Sequence, residues 1–297
     1  MPNYVTTYVN PDLDGIACMI AVAAFMSRDG EKWEAVRFGK LDAESQFVLE
    51  KLDLTPPRQI SDLNDADKII LVDTHHVSQL AENFLLARVV KIIDHHPNGN
   101  DGAFPNAEII NETIGAAASI VAKMYLDENI WNDKMLRLLA FAIKSNTSDF
   151  KEAITSDFDR KIYAEIMDRY PIPERDIENM LMSRTRVLEE GLRAAIESDV
   201  KIFDTKYGRV GISQLKMPGL IPAINVNRAV MEMAAIAKDM GVKYFALNAG
   251  DLDRWQSMVI TANADTSELM SEHFGVEFEN NRYLFDTILI RKRDFVF

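Results

Sequence analysis

Positive charge is in short supply: 33 lysines and arginines face 46 aspartates and glutamates, a formal net charge of -13. A protein that grips nucleic acid through bulk electrostatics must neutralise phosphates with its own cations, so that class is disfavoured. Any anionic ligand must be met by bound cations or by a local basic cluster. Cysteine is nearly absent. The single Cys18 excludes an internal disulfide, suits a reducing cytoplasm, and falls in an apolar segment where an inert core thiol is expected. No apolar run reaches the roughly 18 residues of a membrane span, and the first residues have neither the basic nor the apolar segment of a signal peptide. A cytoplasmic protein without membrane contact is expected. Internal repeats, low-complexity stretches and Gly-Gly pairs are absent as well.

What is present is an ordinary globular composition, 47% apolar and 27% charged, over 297 residues, enough for two domains with full cores. Strands are expected over residues 4–10, 33–38, 68–72 and 88–93. Helices are expected over 16–26, 43–52, 77–86, 115–125 and 133–144. Strands alternating with helices imply right-handed crossovers and a parallel sheet whose carboxyl edge binds ligands. Ser156 followed by Asp159 is a capping-box variant opening a further helix. After Pro171 and Pro173 the charged run from Glu174 to Glu197 reads as a connector. Beyond it come a hairpin in KIFDTKYGRVGISQL, a helix in VNRAVMEMAAIAKDM and three short strands. The fold class is therefore α/β: an N-terminal doubly wound parallel sheet and a smaller C-terminal α/β domain with a mixed sheet. The expected divisions are 1–172, a connector over 173–191, and 192–297.

Three apolar runs of the first hundred residues stop at acids: TTYVNPDLD at Asp12 and Asp14, IILVD at Asp73, and VVKIID at Asp94, followed by His95 and His96. An aspartate after a strand is commonly a turn residue or helix N-cap. Three together, joined by two imidazoles at one sheet edge, point to a metal site. Carboxylates with neutral imidazoles suit Mn, Mg or Co, and the lack of a cysteine cluster disfavours structural zinc. Asp73, the middle acid, is the natural bridge between two metals that hold an attacking hydroxide against a phosphate.

The Asp-His-His triplet, with NPDLDG upstream and VDTHH between, resembles the DHH phosphoesterase superfamily. NPDLDGIACMIAVAAF, EAVRFGKLDAESQFVLE, ETIGAAASIVAKMY and the closing EHFGVEFENNRYLFDTILIRKRDFVF are similar to the manganese-dependent family II inorganic pyrophosphatases. The resemblance spans nearly the whole chain. It implies that Asp12 and Asp14 each bind a metal, that Asp73 bridges, that His95 ligates the second metal, and that His96 lies near substrate with Asp94 orienting the pair. It places Arg291 and Lys292 as the basic residues of the C-terminal domain that clamp phosphate.

The chain also departs from the family pattern. Tyr8 stands where the family has a histidine ligand, and Asn146 where it has a bridging aspartate. Ala116 and Ala117 replace small hydroxyl residues, and Glu189 or Glu190 replaces a lysine, with Arg184 or Arg186 able to reach the same space. Tyr and Asn are poor substitutes for those ligands, so one metal is expected firmly and the second is open. Asn146 is a candidate neutral ligand; His75 or His76 could swing toward the Tyr8 position, and Asp149 could compensate for Asn146.

The resemblance implies a hydrolase of a phosphoanhydride or phosphoester, of the pyrophosphatase and prune-type exopolyphosphatase branch, working by attack of metal-bound hydroxide in an interdomain cleft. The alternative is a catalytically weakened relative that binds a phosphorylated ligand or a protein partner. A third reading, an oligonucleotide or cyclic-dinucleotide phosphodiesterase, is disfavoured because those relatives carry a Gly-Gly-Gly-His motif. The expected partner is a small phosphorylated substrate; a homodimer stays among the open oligomeric states.

Overall fold

In the computed structural model, which describes residues 2–289 and 292–295, the N-terminal sheet is built outward from its middle. Strands β1 (Asn3–Thr6), β2 (Trp33–Arg37), β3 (Arg58–Gln59), β4 (Ile69–Val72), β5 (Val89–Asp94) and β6 (Glu108–Asn111) lie in the order β3-β2-β1-β4-β5-β6. Every neighbouring pair is parallel. The order reverses between β1 and β4. At that switch point the connections leave in opposite directions and open a crevice at the carboxyl edge.

Burial on both faces explains why the central strands read as unbroken apolar runs. Val5, Ile70, Val72 and Ile93 face one core; Tyr4, Ile69, Leu71 and Ile92 face the other. The first core is filled by α1 (Leu13–Met26), α3 (Ala117–Asp127) and α4 (Asp133–Asn146), with α2 (Ala43–Lys51) beside them. Helix α1 is buried nearly all round, as its sequence IACMIAVAAFM requires. Helix α5 (Asp157–Arg169) starts at the complete Ser156/Asp159 capping box.

Several expectations are corrected. No helix forms over 77–86: the segment holds short 3₁₀ turns at Val77–Gln79 and Leu86–Arg88, and Asn83 takes a left-handed φ of 58° that interrupts helical geometry. Its apolar residues Leu80, Phe84 and Leu85 still pack on the second core, so burial is met without a helix. The first strand ends at Thr6 because the chain turns through Asn10, φ 55°, toward Asp12. The short edge strands β3 and β6 carry too few residues for a sequence signal. The charged run after Pro173 is not one helix: α6 (Glu174–Ser183), a 3₁₀ stretch and α7 (Leu192–Ser198) are separated at Gly191, whose φ of 104° only glycine adopts readily.

The chain divides into two compact units, Met1–Leu181 and Met182–Phe297. The C-terminal unit pairs β7 (Val200–Thr205) antiparallel with β8 (Gly208–Met217), and β8 parallel with β9 (Tyr244–Asp251). After a short α8 (Leu220–Ala223), α9 (Val226–Asp239) makes that parallel crossover. Strands β10 (Gln256–Thr261) and β11 (Arg282–Phe285) extend the sheet antiparallel, with α10 (Ala264–Phe274) between them. Met233 and Ile236 of α9 cover one face, Leu269 and Met270 of α10 the other. Among the described residues no helix is long and apolar enough to cross a membrane.

Candidate metal centre

The end of β4 throws Asp73 into the crevice. Its N–H still completes the ladder by donating to the Ile93 carbonyl (2.8 Å), but its φ of 58° turns the side chain over the sheet edge. A non-glycine residue in this region is uncommon and marks a constraint from the surroundings. Asp73 is buried, and its Oδ1 has no hydrogen-bond partner. Such an orphaned acceptor is costly unless something positive meets it.

Asp14 comes from the first turn of α1, whose N-terminus is capped by Asp12 through Oδ1 to the N–H groups of Asp14 (2.9 Å) and Gly15 (3.3 Å). The Asp14 carboxylate is buried against the start of α3, where the Ala117 N–H donates to Oδ2 and the Ala118 N–H to Oδ1, each at 2.8 Å. These are free N-terminal donors of a helix, and the helix dipole favours a negative group there. The hydroxyls missing at Ala116 and Ala117 are therefore not needed to hold this acid. Burial nevertheless dominates and pushes the Asp14 carboxyl up to about 7, while His95 opposes the shift. Burial and the Asp14 charge push Asp73 well up too.

His95 supplies the third donor. Its Nδ1 donates to the Ile114 carbonyl at 2.8 Å, so in the neutral ring the lone pair sits on Nε2. That nitrogen lies 3.3 Å from Asp73 Oδ1 and 3.9 Å from Asp14 Oδ2. Burial lowers the His95 pKa, but the two carboxylates outweigh it and push it up to about 10. The centre thus asks for positive charge at one point. A divalent cation answers that demand, and the mixed carboxylate and imidazole donors fit Mn, Mg or Co. Cys18 lies beside the same acid, its thiol 3.6 Å from Asp14 Oδ1, and burial pushes that thiol well up, consistent with an inert group.

Asp94 sits among these groups but is already saturated. Its Oδ1 accepts from the N–H groups of His95 (2.7 Å) and His96 (3.2 Å) and from His96 Nδ1 (2.8 Å), and its Oδ2 meets His75 Nδ1. Burial alone would raise its carboxyl; the hydrogen bonds from His75 and His96 overcome that and hold it well below the usual range. Asp94 serves as an anchor for imidazoles. His75 is turned to Asp94 by Nδ1 and stands 3.4 Å from Asp101 Oδ1 by Nε2, so each of its ring nitrogens faces a carboxylate.

The two departures lie at the centre as well. The Tyr8 hydroxyl accepts from the Asp12 N–H at 3.2 Å, and burial with the charges of Asp12 and Asp73 pushes the phenol well above its ordinary value. Asn146, at the end of α4, donates Nδ2 to the Gly115 carbonyl at 2.8 Å, with the same nitrogen 3.5 Å from His95 Nε2. Asp149 pairs with Lys144 instead of joining the cluster. Of the phosphate-clamp candidates, Lys292 pairs with Asp199 inside the C-terminal unit, Arg184 begins the 3₁₀ stretch there, and Arg291 lies outside the described residues.

Other parts of the site carry no motif. The Ile114 carbonyl and the α3 amides act through backbone, which leaves no mark on side-chain identity. Asp159 does more than its capping-box motif indicates. Fully buried, it accepts through Oδ2 from the Gly115 N–H (2.8 Å), the Ser156 N–H (2.8 Å) and the Ser156 hydroxyl (2.6 Å), and through Oδ1 from the Ser119 hydroxyl (2.6 Å). It locks the start of α3, which in turn holds Asp14.

The chain is similar to known proteins over nearly its whole length. Residues 3–143 match the DHH family, N-terminal domain. A manganese-dependent inorganic pyrophosphatase of Methanothrix thermoacetophila is 26% identical over 99% of this chain and 96% of its own. A Clostridium acetobutylicum protein named "Probable manganese-dependent inorganic pyrophosphatase" is 25% identical over 99% and 95%. Among solved structures, a Methanococcus jannaschii protein assigned by name to the family II inorganic pyrophosphatases superposes with a TM-score of 0.84 at 24% identity, covering 98% of this chain and 96% of that one. An exopolyphosphatase-related protein from Bacteroides fragilis superposes at 0.52 with 13% identity over 99% and 89%; both show the fold.

Proposed function

We propose that the chain, whose residues 3–143 match the DHH family, N-terminal domain, is a manganese-dependent phosphohydrolase acting on phosphoanhydrides, with inorganic pyrophosphate as the first substrate to test. The observation that carries the proposal is the convergence of His95 Nε2 on two buried carboxylates, 3.3 Å from Asp73 Oδ1 and 3.9 Å from Asp14 Oδ2. The full-length similarity to named manganese-dependent pyrophosphatases supports the substrate class.

In this reading Asp14, Asp73 and His95 hold the cation, with Asp12 beside them. A bound divalent metal neutralises phosphate charge and lowers the pKa of water. The protein's own part is orientation. Asp94 fixes His96 through Nδ1, leaving Nε2 as the nitrogen that exchanges a proton with the substrate phosphate. The resemblance assigns Arg291, Lys292 and Arg184 the role of cations for the substrate phosphate, a role that suits charge-assisted hydrogen bonds. Phosphate release from pyrophosphate, tripolyphosphate and nucleotides with and without Mn²⁺ tests the proposal. Turnover lost on chelation is expected, and absence of turnover on all of them while Mn²⁺ is demonstrably bound would refute it.

A second reading draws on Tyr8 and Asn146. The Asn146 amide directs a donor, not an acceptor, toward His95, and the Tyr8 phenol resists ionisation. Both features favour a reduced metal shell with one cation, and hence a weakened relative that retains a phosphorylated ligand. Metal stoichiometry measured beside turnover separates the two readings.

A further inference from the structure

Gly99, in the loop after β5, has no side chain because another residue occupies the space. A Cβ there would fall 1.5 Å from His75 Cδ2 and 1.7 Å from His75 Nε2. Its φ is not left-handed, so close approach demands the glycine. The loops carrying the two residues are also tied by backbone: the Asn100 N–H donates to the His75 carbonyl (2.9 Å) and the Val77 N–H to Asn100 Oδ1 (3.0 Å). His75 is therefore fixed by Gly99 against its ring, by the Asn100 N–H on its carbonyl and by Asp94 on its Nδ1.

The Asp94 contact gives this fixation a consequence. An aspartate turns easily about χ2, whose energy profile is broad and two-fold. Asp94 holds His96 Nδ1 through Oδ1 at 2.8 Å, while His75 Nδ1 holds Oδ2. The His95 and His96 N–H groups hold Oδ1, and the opposing His75 ring holds Oδ2, so that together they restrict the rotation that would let the His96 bond slip. Asn111, the last residue of β6, completes the frame by donating to the His96 carbonyl at 2.9 Å while standing 3.5 Å from His75 Nε2.

We infer that His75 is a positioning residue which, itself wedged against Gly99, helps pin the Asp94 carboxylate and so fixes the plane and tautomer of the His96 ring. The catalytic consequence rests on the reading of His96 as the group that meets substrate; the tautomer claim does not. Removing such an outer partner costs about 10- to 100-fold in activity. His75→Ala is expected to lower kcat by that amount at saturating Mn²⁺ while leaving KM and metal affinity close to wild type. His75→Asn, whose amide nitrogen can take the place of Nδ1, restores most of it. Gly99→Ala, which displaces the ring, reproduces the His75→Ala defect but adds nothing to it in the double variant.

Imidazole ¹⁵N NMR of the full chain loaded with diamagnetic Mg²⁺ gives a readout independent of turnover. The wild type is expected to hold His96 as a single Nδ1–H tautomer, His75→Ala to mix tautomers, and His75→Asn to restore the single form. An unchanged His96 spectrum in His75→Ala, or additive effects of the two substitutions, overturns the inference. If the tautomer shifts as expected but the wild type hydrolyses no phosphoanhydride, the positioning role stands and the proposed function fails.

Discussion

His95 Nε2 lies 3.3 Å from Asp73 Oδ1 while His95 Nδ1 is committed to the Ile114 carbonyl at 2.8 Å. A neutral imidazole in this setting turns a lone pair toward a carboxylate. Either a proton or a metal must sit between them, and that alternative organises the predictions below.

Asp73→Asn should separate stability from metal binding. Asparagine tolerates the left-handed backbone at this position, φ 58°, and removes a buried negative charge beside Asp14. Denaturant unfolding of the metal-free protein should show a gain of about 1–2 kcal/mol. The same variant should lose the rise in Tm that Mn²⁺ gives the wild type.

The pH dependence follows from two raised groups. Asp14 is raised from 3.8 to about 7 and His95 from 6.5 to about 10, so in the metal-free protein each binds protons more tightly when folded. Their contributions are fully present below the unfolded values and fade as pH rises through 3.8 to 7 for Asp14 and 6.5 to 10 for His95. Metal-free Tm should accordingly fall as pH rises across those windows, other groups held equal. Mn²⁺ affinity should move the opposite way, because the metal competes with protons at these donors. Thermal melts and calorimetric titrations at matched pH check both signs.

Asp159→Ala should act at a distance. The change strands the Gly115 N–H and the hydroxyls of Ser119 and Ser156 and removes half of the α5 capping box. A loss of about 3 kcal/mol is expected from denaturant unfolding. Mn²⁺ should also bind more weakly, since the start of α3 no longer holds Asp14 firmly.

Much of this centre is legible in the sequence. Asp14, Asp73 and the Asp94-His95-His96 triplet stand at element boundaries, where a polar residue following an apolar run is conspicuous. The parallel sheet is readable because its central strands, buried on both faces, are continuous apolar runs. Less is readable where backbone or empty space does the holding. The Ala117 and Ala118 amides and the Ile114 carbonyl have no side-chain signature, and Gly99 reveals its role only with His75 against it. Val77–Leu86 has helical spacing, yet its apolar residues are buried from an irregular path through Asn83, a choice made by the tertiary core.

Asn146→Asp should rebuild part of the metal shell. A carboxylate beside His95, where the amide nitrogen now stands at 3.5 Å, adds a charged ligand to the set. Mn²⁺ affinity should rise about tenfold or more. With Tyr8→His in the same chain, calorimetry should count two ions per chain.

The most direct measurement is anomalous diffraction at the manganese edge from crystals of the full chain grown with Mn²⁺. The account predicts a peak within bonding distance of Asp14, Asp73 and His95 Nε2. A saturating concentration that leaves this point empty, or that places manganese elsewhere, would contradict it.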